Sequence, residues 1–287
     1  MLNFFKIVKE NLSFNRFQFQ ETVCLEYSCP IDAETVGIFS KNDYLVHVLS
    51  GKKTYRTING EWTVNPGQTL YFKKGAEIIN QYFDDEYCML GFFLSDDLIR
   101  ETYEEVKGQV LVNTAGDHRK FTAAEVRNSS YLEGYFHSML TYFRGINRPP
   151  DHILVLKLKE LLLNLMSADP LLTAYFSSLA DSGRPPLHQI MEQNFCFNLK
   201  LENYAELCHR SLSTFKRDFQ EHYQETPGKW LTKRRVHHAA HLIANSGLSV
   251  TQVAFDSGFE DLSHFSRAFK KIMGSTPTEF KKTLVQV

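Results

Sequence analysis

The sequence predicts an α+β chain: a small β-barrel or sandwich with helices behind it, then an all-α half that uses one helical unit twice. Three observations predict this. Between about residues 20 and 95, short runs alternate apolar and polar, punctuated by Ser50-Gly51, Asn59-Gly60, Pro66-Gly67 and Lys74-Gly75. After about residue 95, apolar side chains recur at steps of three and four instead. Near the end, STFKRDFQEHYQETP (Ser213–Pro227) and SHFSRAFKKIMGSTP (Ser263–Pro277) share Phe, Arg, Phe, Thr and Pro at matching places.

The elements follow in order. Asn59-Gly60 between two strand-like runs signals a hairpin whose central positions both need φ > 0. Ser130–Arg144 is amphipathic, and Asp151–Ser167, after Pro149-Pro150, starts with Asp151 as its expected N-cap. The leucines of that second helix cover more than one face. They either pack on the chain's own barrel or form a dimer seam over residues 130–167. DSGRPP (181–186) reads as a linker, with 1–180 before it and 187–287 after it. Beyond it, helices are expected at 187–196, 201–208, 211–224, 228–245, 250–256, 261–273 and 277–283.

Composition narrows the class. Of 287 residues, 43% are hydrophobic and 23% charged, as in ordinary globular chains. There is no run of ~18 apolar residues to span a membrane, and MLNFFKIVKENLSF lacks the pattern of a secretory signal. The five cysteines are irregularly spaced and suit a reducing compartment. The net charge of −1 conceals an asymmetry. From Arg184 onward 14 Lys and Arg stand against 10 Asp and Glu, and seven of the 11 histidines lie there too. The sign suits a polyanion partner.

Each repeat, about 201–224 and about 250–273, has a short helix with a small residue (Ala205, Ala254), a tight turn and a longer helix. In the longer helices Leu212, Phe215, Phe219 and Tyr223, and likewise Leu262, Phe265, Phe269 and Ile272, share one face. The opposite face is polar and basic. This is the pattern of a helix-turn-helix, whose second helix enters a major groove. Pro227–Ser246 reads as one connecting helix. About 18 residues at ~1.5 Å per residue span ~27 Å, enough to hold two reading helices near one DNA turn, ~34 Å, apart.

With VTQVAFDSGFEDLSHFSRAFKKIMGSTPTEFKK, and R-V-x-x-A-x-x-L-I at Arg235–Ile243, the chain resembles the AraC family of bacterial transcription regulators over Leu187–Lys282. The part before is similar to that family's cupin-like sensor domain followed by dimerisation helices. VHVLSGKKTYR, NPGQTLYFKKGAE and KLKELLLNL resemble most the branch of type III secretion activators. The resemblance implies a bacterial cytoplasmic activator that binds double-stranded promoter DNA, contacts RNA polymerase and forms a homodimer. A small molecule or a partner protein would act on its N-terminal domain. Carried over, the base-reading residues are Ser213, Thr214, Lys216 and Arg217, then Ser263, His264, Ser266 and Arg267. Lys229, Arg234, Lys270 and Lys271 are phosphate contacts. His209 stands where many members have glycine. Asp261 is read as a helix N-cap in preference to a contact with a cytosine amino group.

Other chemistry fits less well. SGKKT at Ser50 lacks the earlier glycine of a phosphate loop, since Val46 holds that place, and reads as a hairpin turn. His237 and His241 lie one turn apart without further ligands or a metalloprotease Glu, and Cys24 and Cys29 have no second pair nearby. A metal-dependent cupin enzyme would need several barrel histidines, and residues 20–95 hold His47 alone. No cofactor, metal or catalytic residue is expected. A sensor or interaction protein with incidental DNA affinity remains as the other reading.

Overall fold

The computed structural model describes the chain except residues 12–13, 29–32, 83–85, 111–119, 182–184 and 286–287. Cys29 and the middle of the 181–186 segment therefore lie outside the described residues. The chain divides into two compact units, Met1–Pro185 and Pro186–Val287.

The first unit runs β1 (Leu2–Asn3), α1 (Phe4–Glu10), β2 (Asn15–Phe19), β3 (Thr22–Ser28), β4 (Thr35–Ser40), β5 (Asp43–Ser50), β6 (Lys53–Thr57), β7 (Gly60–Val64), β8 (Thr69–Phe72), β9 (Gly75–Gln81) and β10 (Cys88–Leu94). It continues with α2 (Asp96–Val106), β11 (Ala123–Val126), α3 (Ser130–Arg144), α4 (Asp151–Ala168) and α5 (Pro170–Asp181). One sheet has the order β1-β4-β9-β6-β7 and the other β11-β8-β5-β10-β3-β2. Among the described residues no ladder joins the two sheets, so they form a sandwich with open edges where a barrel would close. The pattern along the sequence, with strands expected from about residue 20, left β1, α1, β2 and β11 unforeseen.

Between the sheets lies one core, with Phe4, Leu25, Tyr44, Val46, Tyr55, Phe72 and Phe93. The outer face of the six-stranded sheet carries a second core, in which Leu45, Tyr71, Leu90 and Phe92 meet Phe136, Met139, Leu161, Leu162 and Phe176 of the helices. Strands β5 and β10 are thus covered on both faces, which is why their sequences run apolar without alternating. His47 belongs to this packing: its ring stacks on Phe136 at 3.8 Å and its Nδ1 lies 2.9 Å from Thr69 Oγ1. Burial lowers its pKa to about 4, so the ring is neutral near pH 7.

Two local expectations are corrected. The β6–β7 hairpin forms, but Thr57 pairs with Gly60, so the turn is centred on Ile58-Asn59 and Gly60 already belongs to β7. Neither Asn59 nor Gly60 has positive φ. The turn is held instead by Asn59 N donating to Thr57 Oγ1 at 3.2 Å and by the Asn59 side chain donating to the Lys120 carbonyl. In α4 the N-cap is Pro150, not Asp151. The Pro150 carbonyl already accepts from Leu154 N at 3.2 Å, and Asp151 sits in the first turn, paired with Arg148 at 2.6 Å.

Leu154, Leu158, Leu161, Leu162 and Leu165 of α4 are buried within the unit. Packing on the chain's own sheet therefore accounts for most of the helix's leucines. Leu156 and Leu163, two turns apart, stay 61% and 38% exposed.

The second unit consists of α6 (Leu187–Asn194), α7 (Leu201–Leu207), α8 (Leu212–Tyr223), α9 (Pro227–Asn245), α10 (Val250–Asp256), α11 (Leu262–Met273) and α12 (Pro277–Val285). Pro227 opens α9 at its first turn, where a missing N–H costs nothing. Val236, Ala239, Ala240 and Ile243 of α9 pack with Val253, Ala254, Phe265 and Phe269 of α10 and α11. At 19 residues α9 is about 28 Å long. Among the described residues no helix is long and apolar enough to cross a membrane.

Candidate nucleic-acid interface

The two helix pairs, α7–α8 and α10–α11, are built alike. Ala205 and Ala254 are buried at 2% and 0% exposure, which lets the paired helices approach closely. Each short helix ends in a left-handed residue, His209 at φ 51° and Gly258 at φ 86°. Each turn is then closed by the same bond: Arg210 N donates to Ala205 O at 2.9 Å, and Phe259 N to Ala254 O at 3.1 Å. The next helix starts on a side-chain cap. Ser211 Oγ accepts from Thr214 N at 3.2 Å. Asp261 accepts from Ser263 N at 2.8 Å and His264 N at 2.9 Å. These two amide donors hold the Asp261 carboxyl below the usual carboxylate range, so the residue acts as a cap.

The turns differ by one residue. The alanines lie 49 positions apart and the capped helices 50, because the second turn contains Phe259 and Glu260 where the first has Arg210 alone. Arg210 compensates in the first turn: its Nε donates to Asp218 at 3.0 Å and its Nη1 to Cys208 O at 2.9 Å.

Phe215, Phe219, Phe265 and Phe269 are fully buried, which fixes the rotation of both long helices. On α8 this turns Ser213, Lys216 and Arg217 outward and leaves Thr214 half-buried. On α11 Ser263, His264, Arg267, Lys270 and Lys271 are exposed and Ser266 is half-buried. The two faces differ in charge. Arg217 is shared with Asp218 at 3.2 Å, whereas α11 contains no acidic residue between Leu262 and Met273. Arg267 Nε donates to Ser263 O at 3.2 Å, along its own helix.

Among the residues expected at phosphates, Lys229 is exposed at the start of α9. Arg234 is placed otherwise: its Nε donates to Glu192 at 2.9 Å and its guanidinium lies 4.3 Å from the centre of the Phe195 ring. In the protein without DNA it ties α9 to α6. The neighbouring Arg235 also turns inward, donating from Nε to Phe195 O at 2.6 Å and from Nη2 to Phe197 O at 2.9 Å. Sequence reasoning noticed Arg235 only as part of a motif and missed Asn198 and Glu260, whose side chains bond each other. FCFNLK around Asn198 carries no periodic signal, and Glu260 lies in the turn DSGFED between two helices, so neither stands out.

Comparison with known proteins agrees with this architecture. Residues 43–175 match the model of the ExsA N-terminal regulatory domain, and residues 204–283 that of a helix-turn-helix domain. The chain is 24% identical over 268 residues to the virulence regulon transcriptional activator VirF of Yersinia enterocolitica, covering 92% of this chain and 97% of that protein. It is 22% identical over 245 residues to the HTH-type transcriptional regulator ExsA of Pseudomonas aeruginosa, covering 85% and 87%. Among solved structures, ToxT from Vibrio cholerae aligns over 91% of this chain and 98% of its own, with 15% identity and a TM-score of 0.41. The regulatory domain, the helix-turn-helix domain and the similarity to VirF and ExsA over most of each chain place the chain in the AraC family of transcription regulators, in the type III secretion branch.

Proposed function

We propose that the protein activates transcription by placing α8 and α11 in two successive major grooves of promoter DNA. The observation that carries this reading is the pair of equivalent turns and caps, each presenting a helix with a polar, basic outer face, joined by α9. Ser213, Thr214, Lys216 and Arg217, with Ser263, His264, Ser266 and Arg267, read base edges. Lys229, Lys270 and Lys271 contact phosphate, and Arg234 does so only on leaving Glu192. Bound to a bacterial promoter in the cytoplasm, the protein would engage RNA polymerase from the same unit.

The first unit supplies control and dimerisation. Beside Lys53, Tyr55 and Gln81, the space between its sheets leaves a cavity of about 20 Å³, room for roughly one water. Lys53 Nζ lies 4.3 Å from the centre of the Tyr87 ring, and the Tyr55 and Tyr87 hydroxyls are 3.0 Å apart. A larger cavity of about 230 Å³ opens at the sheet edge beside Trp62, Val64, Leu70 and Glu125, so the effector of this unit is either a small molecule or a partner protein. The exposed Leu156 and Leu163 of α4 favour a homodimer seam within residues 130–167.

The test is selection of bound duplexes from a random pool by the full-length protein at two salt concentrations. The expected result is a motif of two elements about one helical turn apart, with binding that weakens steeply as salt rises. A single short element would restrict base reading to one motif. No enrichment at either salt would favour a sensor with incidental DNA affinity.

A further inference from the structure

We propose that the loop between α6 and α7 acts as a gauge, fixing the distance and angle between the two reading helices and so the element spacing an operator must have. This rests on the double-groove reading above. Three separate contacts converge on the loop. The strut holds it through Arg235, which donates to the Phe195 and Phe197 carbonyls from two nitrogens. The first motif holds its start through Tyr204, whose hydroxyl donates at 2.8 Å to the carbonyl of Asn194, the last residue of α6. The second motif meets it at Gly258 and Glu260. A Cβ built on Gly258 would stand 2.7 Å from Cys196 O and 3.0 Å from Arg235 Nε, so the loop backbone and Arg235 pack directly on that turn. Glu260 accepts from the Asn198 side chain.

The contacts are unequal in the two repeats, and this gives the gauge its function. Glu260 belongs to the turn that is one residue longer than its counterpart. The extra length brings a carboxylate to the loop that serves the first motif. Besides this bridge the motifs are linked through α9, and small bends at its ends would let the second reading helix swing. One more base pair between the elements moves the second by about 3.4 Å and about a tenth of a turn. A braced pair of helices rejects that change, whereas a hinged pair follows it. Arg235, Asn198 and Glu260 are therefore positioning residues that select operator spacing without touching a base.

The test uses full-length protein and the two-element duplex from the selection above, with spacings one and two base pairs longer and shorter, beside a single-element duplex. In the wild type, each added or removed base pair is expected to cost about tenfold in affinity. In Asn198→Ala, Glu260→Ala and their double variant the cost should fall to about twofold, equally in all three because one bond is lost. Single-element affinity and melting temperature should stay at wild-type values. Glu260→Gln still accepts from Asn198 and should keep the wild-type profile, while Arg235→Lys, which loses the two-nitrogen grip, should flatten it further. An unchanged spacing profile in the double variant and in a folded Arg235→Lys protein overturns the gauge. A parallel loss on one-element and two-element duplexes also overturns it, because it makes these residues plain contacts. A wild-type protein with no two-element preference removes the underlying reading before any variant is made.

Discussion

His209 and Gly258 hold the same place in their motifs, each with a left-handed backbone, at φ 51° and 86°. Only the second has the residue suited to it. A side chain there costs roughly 1 kcal/mol in backbone strain. His209→Gly is expected to stabilise the protein by about 0.5–1 kcal/mol, read from urea unfolding of the full chain. Gly258→Ala meets both the backbone strain and the Cys196 carbonyl. It should cost more than about 2 kcal/mol.

Arg267 stands on the helix without acids. Arg267→Ala should lose about 1–3 kcal/mol of binding and relax the base preference at one position of the selected motif. Lys270→Ala and Lys271→Ala should instead weaken binding evenly across sequences and each lower the salt slope by about one. Titrations at three salt concentrations separate the two behaviours. An Arg267→Ala protein with unaltered affinity and motif would show that this residue reads nothing.

Asp261 caps α11 through two amides. Its folded pKa lies below that of the unfolded chain, so its stabilisation is present above the unfolded carboxylate pKa and is lost as pH falls through the folded value. Asp261→Ala should lower the melting temperature and leave the selected motif unchanged. Asp261→Asn, which can still cap, should restore most of the stability. A changed base preference at one position would assign Asp261 to DNA instead.

Glu77 is buried between the sheets and accepts from the Tyr44 hydroxyl. Burial raises its pKa from 4.5 to about 8. Between those values the folded chain holds a proton that the unfolded chain has released, so its contribution to stability falls as pH rises from about 4.5 to 8. Glu77→Gln keeps an acceptor for Tyr44 and should flatten that decline. Unfolding free energies measured at pH 5, 6.5 and 8 check the slope.

Leu156 and Leu163 face solvent on α4. For the proposed seam, Leu156→Glu with Leu163→Glu should leave the unfolding midpoint close to wild type and sediment as a monomer where the wild type sediments as a dimer; a monomeric wild type would remove the seam. A dimer that survives both changes would move the seam elsewhere.

Much of the DNA-binding unit was legible because its signals are local. Helix periodicity, caps and a repeat at one spacing are set by residues within a few positions of each other, so α7 through α12 emerge close to their expected bounds. The two polar faces followed from the buried phenylalanines. The α+β division was legible for the same reason.

The remainder depended on residues far apart in the chain. Strands β5 and β10 have the same apolar sequence whichever way they face; only helices packed on one side and a sheet on the other decide that Tyr44 and Leu45 point apart. The hairpin turn shifted by one residue because Asn59 bonds to Lys120, 61 positions away. Arg234 and Arg235 look alike as basic residues of one helix. Glu192 captures the first and two loop carbonyls capture the second. The elements and their repeat thus follow from residue order, because hydrophobic period and capping act locally. Which basic side chains are tied down within the chain, and how the α6–α7 loop packs on α9 and the second turn, follow from the packed fold, because those depend on partners that only folding brings together.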